Sequence, residues 1–195
     1  MQKWKSMDLK NLFKKLIEEG EKHKWGFLLI RRQEFNNFIQ KILDRFKELK
    51  ILDVGSWSCL MKGYLIQQFP KFRRKIYYVG IDIVNVKNRR KDVDFVQCSG
   101  EYLPFKPTSF NAVIFIESLE HIVDYVKALK EAYLVLKENG GLFIQAPRCT
   151  EKHAINDQTH IHVLHCVTLS RLLQILGFNN VKCVDGHNFA VSCFK

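Results

Sequence analysis

Two spacings of apolar residues divide this chain of 195 residues. Up to residue 50 they recur at helical intervals. Leu9, Leu12, Phe13, Leu16 and Ile17 run up to Gly20, and Phe35, Phe38, Ile39, Ile42, Leu43, Phe46 and Leu49 follow. Positions three and four apart share one helix face, so both segments predict amphipathic helices with basic outer faces. From residue 50 short β-type runs alternate with longer segments, the signature of a parallel sheet. Strands are predicted near 50–54, 76–81, 93–97, 111–116 and 141–146, and helices near 59–69, 122–137 and 168–176. The crossovers after the second and third strands are short and poorly helical. The ending differs. VKCV (181–184) and FAVSCF (189–194) flank Asp185-Gly186-His187-Asn188, and Asp-Gly predicts a tight turn between antiparallel strands. The expected fold is α/β: a doubly wound, mostly parallel seven-stranded sheet whose last strand is antiparallel, closed by a β6–β7 hairpin. A helical extension over 1–49 should pack on a core domain over 50–195.

Composition narrows this picture only slightly. Hydrophobic residues at 47% and charged residues at 26% are an ordinary globular balance. The longest apolar runs, such as Phe27–Ile30 and Ala112–Ile116, are far too short to span a bilayer, so no transmembrane segment is expected. The N-terminus has no apolar stretch of signal-peptide length, and a cytoplasmic location follows as an expectation. Six cysteines without a C-x-x-C pair fit neither a disulfide scaffold nor a zinc knuckle. Most are expected to be reduced, buried, small apolar residues.

Charge adds more. The net +11 is concentrated: residues 1–50 hold 13 Lys/Arg against 7 Asp/Glu, and residues 71–91 hold 8 against 1, from KFRRK (71–75) and KNRRK (87–91). Such an excess suits a polyanionic partner, either RNA or acidic headgroups, met through 71–91 and the N-terminal helices. The plain alternative is a soluble, Lys-rich surface. The first helix, with Trp4 and several lysines, either packs on the sheet or rests on a membrane surface. Glu18, Glu19 and Glu21 favour packing, because they would face anionic lipid.

Candidate chemistry sits where predicted strands end, the edge at which open α/β sheets hold ligands. Asp53-Val54-Gly55-Ser56 closes the first strand. Gly55 permits a tight turn, and an anionic Asp53 there suits a ligand with a cationic amino-acid end rather than a pyrophosphate. A G-x-G-x-x-G fingerprint would need glycine where Trp57 and Leu60 stand. Asp82 ends the second strand, placed to accept both ribose hydroxyls of an adenosine. Ser99 and Gly100 fit a loop holding an adenine edge, and Glu117 closes the apolar fourth strand. Glu120 favours a helix N-terminal dipole, while His121 fits packing as well as catalysis. His153, His160, His162 and His165 crowd a long loop before the next helix. They read as a general base, as a metal set, or as histidines bonding the backbone. His160-x-His162-x-x-His165-Cys166 matches no standard zinc spacing, so no metal is expected. Arg148 is placed to grip an acidic acceptor.

Leu103-Pro104-Phe105, Ser109-Phe110, Leu119-Glu120-His121 and Gly140-Gly141, together with these strand ends, resemble the class I S-adenosylmethionine-dependent methyltransferases, in particular a methyltransferase type 11-like group. The resemblance covers 50–147 closely and extends loosely through 158–178. It implies a Rossmann-like fold, S-adenosyl-L-methionine as cofactor, and methyl transfer to an acceptor that is a small molecule, lipid, glycan or RNA. It also implies site roles. Asp53, Gly55 and Ser56 would line the methionine moiety, Asp82 the ribose, and Ile83 would pack on adenine. Ser99, Gly100 and Glu101 would border the adenine, and Glu117 would lie under the sulfonium. Glu117, His121 and His162 are the catalytic candidates. Three departures stand out: Trp57 and Cys59 where the family's turn has glycine, Ser99 for an aspartate beside the adenine, and Asn111 for an aspartate opening the fourth strand. Two rival readings remain, a non-catalytic binding module or RNA-binding subunit, and an NAD-dependent oxidoreductase.

Overall fold

The computed structural model describes residues 31–195; the first predicted helix, Leu9–Ile17, lies outside them. Elements follow in the order α1 (Arg32–Phe46), β1 (Leu49–Val54), α2 (Met61–Gln68), a 3-10 helix (Pro70–Lys75), β2 (Ile76–Asp82), β3 (Asp94–Gln97), β4 (Phe110–Ile116), a 3-10 turn (Leu119–His121), α3 (Tyr125–Val135), β5 (Leu136–Pro147), α4 (Lys152–Asn156), α5 (Cys166–Ile175), β6 (Asn179–Val184) and β7 (Asn188–Phe194). The seven strands form one sheet in the order β3-β2-β1-β4-β5-β7-β6. The first five are parallel, while β7 runs antiparallel to both β5 and β6. This is the expected doubly wound sheet with its hairpin ending. Neither connection flanking β3 contains a helix, so that edge is thinly covered.

Two apolar layers sandwich the sheet. On one face, α1 lays down Phe35, Phe38, Ile39, Ile42 and Leu43, each at most 2% exposed. These five belong to the predicted stripe, and their spacing of three and four puts them on one side of the helix. Phe35 meets the Phe143 ring edge-on at 5.2 Å, and Phe38 stacks against Phe143 and Phe194. Close approach requires Gly141, since a Cβ there would strike the Phe38 ring. Half of the Gly140-Gly141 signature therefore serves helix packing, away from the strand ends that face a ligand. The opposite face buries Leu52, Val113, Phe115, Leu142 and Ile144 under α3 and α5.

Several predicted boundaries shift. The 122–137 helix begins only at Tyr125, capped by Asp124, whose Oδ1 accepts the Lys127 amide at 2.9 Å. Glu120 therefore opens no α-helix and does not meet a helix dipole. β5 starts at Leu136, earlier than the apolar run suggests, because Leu136 pairs with Phe110 before an irregularity resets the register at Gly141. The sulfurs of Cys166 and Cys183 are bonded, with Cα atoms 6.0 Å apart, joining α5 to β6. The other four cysteines are free, as expected for most of the set. No described helix is long and apolar enough to cross a membrane.

Asn111 is fully buried and stitches β4 to the start of β1. Its Oδ1 accepts the Lys50 amide at 2.7 Å, and its Nδ2 donates to the Glu48 carbonyl at 3.2 Å. An aspartate could not donate, which accounts for the amide here. Asn111→Ala should lower unfolding free energy by about 2 kcal/mol, since it strands a buried amide N–H. The urea midpoint should fall with no change in slope.

Candidate active site

A cleft of about 660 Å³ opens at the C-terminal ends of β1, β2 and β4. The strand order fixes its two sides. Asp82, Ile83, Cys98, Ser99, Gly100 and Glu101 line the β2–β3 side, while Glu117, Pro147, Asn188 and His160 line the β4–β5–β7 side. Asp53, Gly55, Ser56 and Trp57 form the floor between them. Every predicted donor-binding residue lines this one cleft.

The turn after β1 is built by unusual backbone. Gly55 has φ +76°, and a Cβ there would collide with Ser118. Trp57 and Cys59 also take positive φ, 44° and 58°. The chain thus keeps the left-handed turn while placing side chains where glycine would relieve strain. Trp57 lines the cleft, whereas Cys59 is buried and donates its thiol to Ser56 Oγ at 3.3 Å. Trp57 thus borders the site, and Cys59 is not among its lining residues.

Asp53 is almost fully buried and accepts a hydrogen bond from the Tyr78 hydroxyl. Burial raises its pKa from 3.8 to about 7, opposed by the Tyr78 bond and reinforced by the Asp82 charge. Asp82 is likewise raised by burial. Its Oδ2 accepts the Trp57 amide at 2.9 Å and its Oδ1 the Val84 amide at 3.0 Å. The Ile83 amide also lies against this carboxylate, whose remaining acceptor capacity faces the cleft. Across the floor, Ser99 Oγ donates to Glu101 Oε2 at 3.3 Å, while Glu101 Oε1 accepts the Asp124 amide at 2.6 Å. Glu101 therefore anchors the start of α3 as well as bordering the cleft.

Glu117 has φ 50° at the end of β4, a left-handed conformation of the kind that concentrates at functional sites. Its Oε1 accepts from Gln145 Nε2 at 2.7 Å and from Asn188 Nδ2 at 2.5 Å. Burial raises its pKa despite these bonds. His121 lies nearby, its Nδ1–H donating to the Thr159 carbonyl at 2.9 Å; burial lowers its pKa to about 4, so the ring is neutral. Of the loop histidines, His153 and His160 line the cleft. His162 is not among the lining residues: its Nε2 bonds the Val123 carbonyl at 2.9 Å, and its ring meets Tyr125 edge-on at 4.9 Å. His165 accepts the Val167 amide and caps α5. Arg148 pairs with Asp185 at 3.4 Å near the hairpin turn.

Residue-by-residue reading missed the second layer. Gln145 and Asn188, which orient Glu117, are buried polar side chains on the apolar strands β5 and β7. A polar residue inside a run such as LFIQAP was the available signal. Glu120 was missed as a site residue: it is 1% exposed, on the 3-10 turn, and lines the cleft.

A mostly parallel sheet with this hairpin, and a carboxylate at the tips of β1 and β2, is the arrangement the resemblance implies. Comparison with known proteins agrees. Residues 52–144 match the family model described as "Methyltransferase domain". The ubiquinone/menaquinone biosynthesis C-methyltransferase UbiE of Haemophilus ducreyi is 38% identical over 53 residues, 27% of this chain and 20% of that protein. Its counterpart in Rhizobium rhizogenes is 36% identical over 66 residues, 34% of this chain and 26% of that protein. The matches thus span about a quarter or less of those curated relatives. In structure, the chain resembles a SAM-dependent methyltransferase from Archaeoglobus fulgidus with TM-score 0.67 and 18% identity, over 92% of this chain and 99% of that one. It resembles the Burkholderia thailandensis 1,6-didemethyltoxoflavin-N1-methyltransferase, a structure with bound S-adenosylhomocysteine, with TM-score 0.72 and 17% identity, over 96% and 87%. Residues 52–144 are thus similar in sequence to a methyltransferase domain, and the sheet has the fold of SAM-dependent methyltransferases.

Proposed function

We propose that the protein transfers a methyl group from S-adenosylmethionine to a small or lipid-like acceptor that enters on the β4–β5–β7 side of the cleft. The observation that carries this reading is the single cleft holding the Asp53, Asp82 and Ser99–Glu101 set at one side and Glu117 at the other. The residues present suit the donor. Asp53, once ionised, faces an ammonium, Asp82 offers a buried carboxylate to the ribose diol, and the thinly covered β3 edge leaves room for an adenine. When bound, the donor supplies a methyl group on a sulfonium, already activated for in-line transfer. The protein's share is alignment and exclusion of water. Glu117, pinned by Gln145 and Asn188, presents a fixed carboxyl toward the acceptor side. His121, neutral and tied to Thr159, holds the loop against the 3-10 turn.

Exposed apolar side chains favour the small or lipid-like acceptor. Val123, Ile155, Ile161 and Val163 are 39–62% exposed on or beside the loop that walls the acceptor side. The basic run KFRRK forms the 3-10 helix entering β2, at the strand end opposite Asp82. KFRRK therefore lies away from the cleft, while KNRRK (87–91) follows the cleft residues Ile83 and Val84. The two UbiE relatives carry names that refer to ubiquinone and menaquinone, a pairing consistent with an apolar acceptor. Incubation with methyl-labelled donor and separate pools of lipid extract, small molecules, RNA and protein tests the reading. Label should enter the lipid or small-molecule pool; label confined to RNA would reverse the acceptor assignment.

A further inference from the structure

Glu120, His121 and His160 bring one carboxylate oxygen and two ring nitrogens within 4.8 Å of one another on the wall of the cleft. Their sequence spacing gives no hint of this. The juxtaposition is made by the Glu120 carbonyl, which accepts the amides of Ile161 at 3.0 Å and His162 at 3.1 Å, pulling the long loop back onto the 3-10 turn. Both carboxylate oxygens of Glu120 are buried without a hydrogen bond from any other residue. A buried carboxylate in this condition is costly unless a cation or proton meets it.

The two imidazoles are prepared in the same sense. Nδ1 of His121 faces the Thr159 carbonyl, and Nδ1 of His160 faces the Ala154 carbonyl at 3.1 Å. A carbonyl only accepts, so each Nδ1 carries the proton and each Nε2 carries a lone pair. Backbone carbonyls commonly orient metal-binding histidines in this way. The rings meet edge-on at 4.8 Å between centroids. The Asp157 carboxylate, 3.8 Å from His160 Nε2, adds negative charge, and Glu117 acts on Glu120 with the same sign.

We propose that Glu120 Oε and the Nε2 atoms of His121 and His160 bind one divalent first-row transition cation, with its remaining coordination positions open to the cleft. Two imidazoles and a carboxylate match the preference of such ions over calcium, and three protein ligands leave room for solvent or an acceptor atom. The site needs no methyl donor, so it is tested apart from the transferase reading.

The test titrates chelator-stripped protein with Zn²⁺ and with Mn²⁺ by calorimetry, and counts bound metal after gel filtration. The wild type should take up one ion per chain. Glu120→Gln and His160→Asn should each weaken binding on the order of 100-fold. His160→Asn keeps an N–H donor for the Ala154 carbonyl, and circular dichroism and melting of the stripped variants check that both fold. S-adenosylhomocysteine is titrated in parallel on stripped wild type, so that loss of one activity is read independently of the other. Absence of a saturable site in the wild type would overturn the proposal, as would variants that bind as tightly as wild type.

Discussion

Asp82→Ala abolishes tight binding of S-adenosylhomocysteine, reducing affinity on the order of 100-fold or more. Two hydrogen bonds from a ribose diol to a buried carboxylate are worth about 1.5–3 kcal/mol each, and the alanine removes both acceptors. Asp82 also holds the amides of Trp57 and Val84, so the variant loosens the turn after β1 and lowers the melting temperature as well. Asp82→Asn separates the two effects. It retains one carbonyl acceptor, and its melting temperature should lie closer to wild type while affinity stays depressed. Calorimetric titration beside thermal melts reads both quantities. Unchanged affinity in the alanine variant would remove Asp82 from the ribose.

Ligand-free stability and donor affinity should move in opposite directions with pH. Asp53 holds its proton more tightly when folded, at about 7 against 3.8, so the folded state binds more protons between those values. Its contribution to stability is full below pH 4 and is lost as pH rises through 7. The donor's ammonium needs the ionised carboxylate, so affinity follows the ionised fraction and falls about tenfold between pH 8 and pH 6. The rise in melting temperature on adding S-adenosylhomocysteine should therefore be larger at pH 8 than at pH 6. Asp53→Asn preserves an acceptor for the Tyr78 hydroxyl and removes the titration. Both slopes should flatten in that variant; an unaltered affinity profile would assign the pH dependence to Asp82 or another neighbouring group.

The strands were legible because period-two and period-3.6 patterns separate cleanly after residue 50, and because Asp185-Gly186 marks its own turn. The donor side of the cleft was legible for a related reason. In a parallel sheet, the residue after a buried run must lie at the C-terminal edge, so Asp53, Asp82 and Glu117 are placed by position alone. Glu120 was not. Its location beside Glu117 invited a helix N-terminus, but residues 119–121 make a 3-10 turn and the α-helix waits for Asp124. His160 reaches Glu120 through the amides of Ile161 and His162, 41 and 42 positions away, a contact that local spacing cannot encode. The loop histidines looked alike in sequence; His160 bonds the Ala154 carbonyl and lines the cleft, whereas His162 turns to the Val123 carbonyl and His165 to the Val167 amide.

Arg31 gives the helix-to-sheet contact a further meaning. Its amide donates to Gln145 Oε1 at 3.2 Å and its Nε to the Asn188 carbonyl at 2.8 Å. Those two residues supply both amide donors to Glu117. The residue leading into α1 thus fixes which end of the Gln145 amide is oxygen and which is nitrogen, and braces the backbone from which Asn188 reaches out. Rotation of that glutamine would present oxygen to oxygen at Glu117, so the aim of the carboxyl is set from outside the strands that carry it.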